Sequence, residues 1–293
     1  MTHTLQNDQC RATISTHGAE LTSLLDLASR REYLWQADPA YWGRHAPLLF
    51  PIVGKLPDDT YLHQGQAYKL TQHGFARDQE FQLIHEETQV LVFQLMHSPA
   101  TLAVYPFEFD LRVRYELRDR MLTVGWQVRN PAASGQELLF SIGAHPAFNC
   151  PLEPGEQFKD YAFHFDHPVT LRRHLLRGGL RTGETASVLK NQAVLPLSYE
   201  LFADDALVFS EFDFTRLALR RADGTGPWVR LRFDGFPYLG LWTKGPGATF
   251  VCVEPWQGVA SPVGPPQELR DKEGILTLMP SQDFITSYSV EVG

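Results

Sequence analysis

The sequence predicts an all-β protein, a large antiparallel β-sandwich with very little helix. Three observations carry that expectation. Apolar and polar residues alternate over long runs, most cleanly between Phe107 and Arg129. No long stretch shows the 3.6-residue apolar period of an amphipathic helix. The 22 glycines and 20 prolines are spread along the whole length, as the turns between many strands require.

Taken in order, Arg11 to Ser15 and Leu21 to Leu24 read as a short hairpin around Gly18. Asp38-Pro39-Ala40-Tyr41-Trp42 reads as one helical turn, with Asp38 as N-cap and Pro39 at the first position. Gln89 to Leu95 reads as a strand. Phe107, Phe109, Leu111, Val113, Tyr115 and Leu117 then alternate with charged residues, so one face is buried and the other solvated. Arg118-Asp119-Arg120 is a turn signal. Leu122, Val124, Trp126 and Val128 complete the hairpin. Asn130-Pro131 stops it, because proline removes a ladder donor. Leu138 to Ile142 and Thr249 to Val253 are apolar runs that suit buried strands. Gly178 to Thr185 reads as a glycine-containing loop, and Leu197 to Leu201 as a second helical turn. Strands follow around Leu217–Leu219, Val229–Phe233 and Ile285–Val292. No tandem repeat, low-complexity tract or linker interrupts the chain, so a single domain over residues 1–293 is expected.

Composition narrows the function classes. Of 293 residues, 43% are hydrophobic, enough for a sizeable core. The net charge is −8, from 26 basic and 34 acidic residues, which on average repels nucleic acid and anionic membranes. No segment is long and apolar enough to span a bilayer, and Met1 to Gln9 lacks the basic and apolar regions of a signal peptide. Cys10, Cys150 and Cys252 are far apart, with no CxxC spacing, which argues against a zinc knuckle, a redox motif or a disulfide framework. They fit the reducing cytoplasm.

Three islands carry the chemistry: Gln72-His73-Gly74-Phe75-Ala76-Arg77-Asp78, Gly143-Ala144-His145-Pro146-Ala147-Phe148-Asn149 and Val251-Cys252-Val253-Glu254-Pro255-Trp256. Each places a titratable side chain among glycine, proline and aromatic residues. A carboxylate with imidazoles is the minimum equipment for moving protons on and off a small molecule near neutral pH. Glu254 ends a buried strand, where desolvation raises a carboxyl pKa toward the working range of a general base. A strand-end glutamate turned to water is the plain alternative. His145 follows an apolar strand, where a satisfied core histidine is the alternative. His73 precedes Gly74, which permits close backbone approach, and Arg77 offers a planar fork for hydroxyls, carboxylates or phosphate, unless Asp78 simply neutralises it. A polar turn is the alternative there. Cys252 shares a face with Glu254 by strand alternation and reads as inert packing. His164-Phe165-Asp166-His167 resembles ligand spacing only superficially, and no HExxH, GxxxxGK[ST] or GxSxG element is present.

The three islands in this order resemble the aldose 1-epimerase (galactose mutarotase-like) family. Gly18-Ala19-Glu20-Leu21, Pro51-Ile52-Val53-Gly54-Lys55 and Leu201 to Leu207 also resemble segments of that family, so the likeness covers most of the chain. It implies a super-sandwich fold with a cleft on a concave face. It implies Glu254 as general base, His145 as general acid, and His73 as a substrate ligand near the ring oxygen. It also implies an aspartate for sugar hydroxyls, Asp205 by preference, with Asp204 as a rival. One departure is Lys55-Leu56-Pro57 after Gly54, where well-studied mutarotases carry an arginine; here Arg77 sits inside the histidine motif.

The chemistry needs only positioned protons. A cyclic aldose changes anomer by opening, which removes the anomeric hydroxyl proton and adds one to the ring oxygen. Glu254 and His145 would exchange these, with no metal, nucleotide or other cofactor. A sugar is the expected partner, for a monomer or homodimer. The competing readings are a hexose 6-phosphate epimerase, with Arg77 and Lys55 as the cationic end, and a non-catalytic carbohydrate-binding or sensing domain.

Overall fold

The computed structural model describes residues 1–133 and 135–293. Its centre is a 15-stranded antiparallel sheet. The path across it runs from Leu48–Leu49 through Gly143–Ala144, Phe250–Trp256, Tyr238–Trp242, Leu207–Ser210 and Tyr161–Arg177. It continues through Arg216–Arg221, Val229–Arg232, Asp283–Val292, Met121–Arg129, Asp110–Arg118 and Val90–Met96 to Gln82–Glu87. Ala147–Asn149 pairs with Phe250–Trp256, and Leu180–Pro196 pairs with Tyr161–Arg177. A separate three-stranded sheet, Thr2–Gln6, Cys10–Ser15 and Leu21–Asp26, packs against this framework.

Alternation translates directly into these strands. In Asp110–Arg118, Leu111, Val113, Tyr115 and Leu117 are buried, while Arg114 and Arg118 are exposed. This strand and Met121–Arg129 pair from Arg118↔Met121 to Asp110↔Arg129, the hairpin expected from the pattern. Each large apolar side chain so buried stabilises by about 1.5–3 kcal/mol. Phe107 and Phe109 are buried as the alternation implies, but the ladder begins only at Asp110.

Of three local expectations, the first fails, the second is met and the third shifts by a few residues. Residues 178–185 are not a loop: only Gly178-Gly179 turns, at the tip of a hairpin of two 17-residue strands, Tyr161–Arg177 and Leu180–Pro196. Both glycines have positive φ, 58° and 82°, which a tight reversal needs. Residues 38–42 form a single turn closed by hydrogen bonds from the Tyr41 and Trp42 amides to Asp38 O, and the chain does not continue as helix. The turn near 197–201 is a short 3-10 turn at Tyr199–Phe202. The one α-helix among the described residues, Pro99–Val104, carries a Ser98/Thr101 capping box.

One hydrophobic cluster extends from Leu5 to Val292 and joins both sheets. A second, smaller one gathers Trp35, Ala147, Ala248, Phe250 and Cys252 beneath Trp42 and Trp242. Among the described residues no helix is long and apolar enough to cross a membrane.

Candidate active site

Phe250–Trp256 is buried at every position, because strands cover both of its edges. On one side Gly240 of Tyr238–Trp242 stands opposite Glu254. On the other side two short strands, Gly143–Ala144 and Ala147–Asn149, pair with the same strand. His145-Pro146 is the break between them, and Pro146 O accepts from the Val253 amide at 3.2 Å. Register therefore seats His145 beside Glu254. Their Nε2 and Oε2 atoms lie 3.1 Å apart, with 8% and 1% of each residue exposed. The contact lacks hydrogen-bond alignment, so Glu254 Oε2 and His145 Nδ1 are buried without a partner. Such unspent polar atoms are costly in a folded core and gather where a ligand supplies the missing bonds.

Trp256 explains the two glycines. Its indole lies across the sheet, where a Cβ on Gly143 would come within 2.6 Å of the ring and one on Gly240 within 2.5 Å. Its Nε1 donates to Ala144 O at 3.1 Å. Trp42 stacks on His145 at 4.8 Å and 28°, and Trp242 meets the same imidazole edge-on at 5.8 Å.

His73 closes another wall, its ring 5.7 Å from that of His145 and nearly perpendicular to it. Its backbone is left-handed, φ 69°, a conformation that costs a non-glycine residue about 1–3 kcal/mol. Gly74 follows at φ 71°, where a Cβ would lie 2.3 Å from Phe50 O. The Gly54 amide donates to His73 Nδ1 at 3.2 Å, and the His73 amide donates to Gly54 O at 3.0 Å. The Gln72 side-chain nitrogen lies 3.2 Å from His73 Nε2, so the ring is flanked at both nitrogens, by the Gly54 amide at Nδ1 and by Gln72 at Nε2.

Arg77 and Asp205 line the same cavity of about 430 Å³. Arg77 Nη2 donates to Gln72 O at 2.6 Å, while its buried Nε has no partner. Asp78 stands 3.8 Å from that Nε but takes its short contact, 2.7 Å, from Arg44, so it only partly neutralises Arg77. Asp205 has φ 88°, and its Oδ1 accepts from the Ala206 amide at 2.8 Å. Asp204 instead pairs with Arg173 at 3.0 Å and is not part of the cavity wall. Lys55 lies against Gly179, behind the wall.

The five residues singled out in the sequence thus meet at one cavity. Sequence reasoning missed Trp42, Trp242 and Lys244 as wall residues, and the hairpin tip at Gly178-Gly179. The signals were faint: Trp42 closes the Asp38-Pro39 turn, and Lys244 precedes the Gly245-Pro246-Gly247 turn.

Electrostatics follow from burial. Desolvation, helped by the Asp205 charge, pushes the Glu254 carboxyl well above the usual carboxylate range. Desolvation, with Arg77 and Arg44 nearby, pushes the His145 imidazole down to about 3. His73 is lowered well below the ordinary histidine value by burial, then by His145 and Arg77. Burial thus favours the neutral form of each member of the Glu254–His145 pair. His145, Cys252 and Glu254 bring ligand atoms within 4.8 Å of one another, the only such trio among the described residues. Burial raises the Cys252 thiol as well, which disfavours its thiolate.

Comparison with known proteins gives a consistent result. The family profile described as Aldose 1-epimerase matches residues 1–214, which takes in His73, His145 and Asp205 and stops short of Glu254. The chromosomal protein LacX of Lactococcus lactis subsp. lactis is 34% identical over 301 residues, covering 100% of this chain and 99% of the relative. A galactose mutarotase related enzyme from Lactobacillus acidophilus superposes with TM-score 0.94 at 33% identity, over 100% of this chain and 97% of that one. A galactose mutarotase-like protein from Lactobacillus casei gives TM-score 0.93 at 31% identity, over the full length of both. The chain shares the galactose mutarotase-like fold of these structures, and it belongs to the aldose 1-epimerase family.

Proposed function

We propose that the protein is an aldose 1-epimerase, a mutarotase interconverting the α and β anomers of a hexose. The supporting observation is the Glu254–His145 contact of 3.1 Å in the wall of a sugar-sized cavity. A binding protein has no use for a buried acid and base that oppose each other's charge and stay unpartnered. A proton exchanger needs that pair.

In the reaction proposed, Glu254 is the general base and His145 the general acid. The reactive form of the pair is Glu254 carboxylate with His145 imidazolium, 3.1 Å apart, which carries the same net charge as the acid with neutral imidazole. The carboxylate takes the anomeric hydroxyl proton as the imidazolium protonates the ring oxygen. The C1–O bond to the ring breaks and an aldehyde forms at C1. The pair returns to acid and neutral imidazole, the state that burial favours. Rotation about C1–C2 and the reverse transfers close the ring on the other face. Each positioned acid or base typically contributes about 10²–10⁴-fold.

His73 holds a sugar oxygen near the ring. Asp205 accepts from hydroxyls across the cavity, and Trp42, Trp242 and Trp256 supply apolar faces for the C–H side of the sugar. No cofactor enters this scheme. The three cysteines are free and buried, which suits a reducing cytoplasm.

The second reading, a hexose 6-phosphate substrate, is favoured by the unpartnered Arg77 Nε and by Lys244 on the same wall. Polarimetry of freshly dissolved α-glucose, α-galactose and α-glucose 6-phosphate separates the two readings. Faster relaxation with a neutral hexose supports the first, and faster relaxation only with the phosphate supports the second. Sugar binding with no acceleration of any of them leaves the non-catalytic domain and overturns both.

A further inference from the structure

Beneath the His73 wall lies a buried amine that the proposed chemistry does not use. Lys272 follows the short turn Leu269–Asp271 and is 2% exposed. Its Nζ donates to the carbonyl of Val259. Arg181, 9% exposed, donates from Nε to the next carbonyl, Ala260 O, at 2.8 Å. Arg181 is held in turn by Glu273 at 2.6 Å, and Glu273 accepts from Tyr238 at 2.8 Å. Two cations therefore grip two consecutive carbonyls of one loop.

That loop is what supports Gly54. Ala260 lines the cavity, and its Cα lies 2.4 Å from where a Gly54 Cβ would be. The Ser261 amide donates to Lys55 O at 2.9 Å, tying the two segments together. Gly54 in turn fixes His73, by its amide at Nδ1 and its carbonyl at the His73 amide. The contacts run without a gap from Lys272 and Arg181 through Val259–Ala260 and Gly54 to the His73 ring.

We propose that Lys272, acting with Arg181, is a positioning residue that holds the His73 ring against the Gly54 amide and at the height needed to reach substrate. Its catalytic consequence rests on the epimerase reading above; the structural consequence does not. Hydrogen bonds from charged donors to carbonyls are stronger than neutral ones, so the clamp is stiffest while Lys272 is ammonium. The charged and titratable groups facing Lys272 are Arg181 from Leu180–Pro196, Glu273 on its own segment and, through the loop, His73. Burial first, then the Arg181 charge, pushes the Lys272 ammonium down to about 7, with Glu273 opposing. The clamp is thus charged below about pH 7 and weakens as pH rises through it.

The test is NMR on uniformly ¹⁵N-labelled protein, wild type, Lys272→Met and Lys272→Arg, with the sugar assay alongside. In Lys272→Met the His73 ring is expected to lose its Gly54 hydrogen bond, seen as a shift of the His73 Nδ1 and Gly54 amide signals. kcat is expected to fall by about 10- to 100-fold, the cost of displacing a substrate-positioning group. Lys272→Arg keeps a cation and should restore those signals and most of kcat. Folded Lys272→Met with unchanged His73 ring signals overturns the proposal. Should that variant not fold, the wild type decides: His73 and Gly54 signals that move together near pH 7 support it, and signals flat across that range overturn it. Loss of the His73–Gly54 bond in a protein that accelerates no sugar leaves this inference standing and removes the epimerase reading.

Discussion

At Glu254, burial and the Asp205 charge favour the protonated acid, and at His145 burial favours the neutral imidazole. The signs of the linkage differ. Glu254, raised in the native state, contributes stability at acid pH that is lost as pH rises through its folded value. His145, depressed to about 3, contributes stability present above its ordinary value of 6.5 and lost as pH falls toward 3. Glu254→Gln is therefore expected to lower kcat by about 10²–10⁴-fold while leaving the melting temperature at pH 8 equal or higher. An unchanged kcat removes Glu254 from the role of base. For His145→Asn, urea unfolding between pH 6.5 and 3 is expected to show a shallower loss of stability than wild type, by up to about 1.4 kcal/mol per pH unit. Identical slopes mean that His145 is protonated in the folded protein. The two candidates were legible in the sequence because a glutamate closing an apolar run before proline and a Gly-Ala-His-Pro break are local features, although the strand itself continues past Glu254 to Trp256. The pairing of Asp204 with Arg173 was not, since 31 positions separate them.

Trp256 and its two glycines act as one element-level device. Neighbouring strands place Gly143 and Gly240 on either side of the indole, and the ring fills the space both side chains would take. Gly240→Ala is expected to tilt the ring into the cavity, cost about 1–3 kcal/mol of stability and lower kcat/KM by at least about tenfold. A variant with wild-type kcat/KM and urea midpoint refutes this. Gly74→Ala combines positive φ with a Cβ 2.3 Å from Phe50 O. It is expected to lose more stability than Gly65→Ala, whose Cβ meets nothing within 4 Å at a similar φ of 79°. Equal losses show that φ alone, not the Phe50 contact, sets the cost. At this scale alternation was legible wherever one face is solvated, as in Asp110–Arg118. The long Tyr161–Arg177 and Leu180–Pro196 hairpin was not, because register shifts between its strands break the period of two.

Across the whole molecule one apolar cluster links residues from Leu5 to Val292, and nothing in its packing divides the chain. We propose that the chain is a single cooperative unit. Calorimetry should then give one transition, coincident with the tryptophan fluorescence change, whereas two resolved transitions require two domains. The net charge is −8, yet Arg77 and Lys244 stand at the cavity. If a phosphorylated hexose is the substrate, its kcat/KM should fall with ionic strength while that of a neutral hexose does not. Parallel behaviour of the two sugars removes the electrostatic role of those cations.

The sequence by itself determined the all-β class, the core faces of most strands and the three islands that hold Glu254, His145 and His73. Those are properties of periods of two residues and of single positions, and they need no knowledge of what lies opposite. Tertiary structure alone decided that Asp205 rather than Asp204 reaches the cavity, that Trp42, Trp242 and Lys244 wall it, and that Lys272 and Arg181 stand behind His73. Such contacts join segments tens to hundreds of positions apart, and only the register of the folded sheet fixes which of them meet.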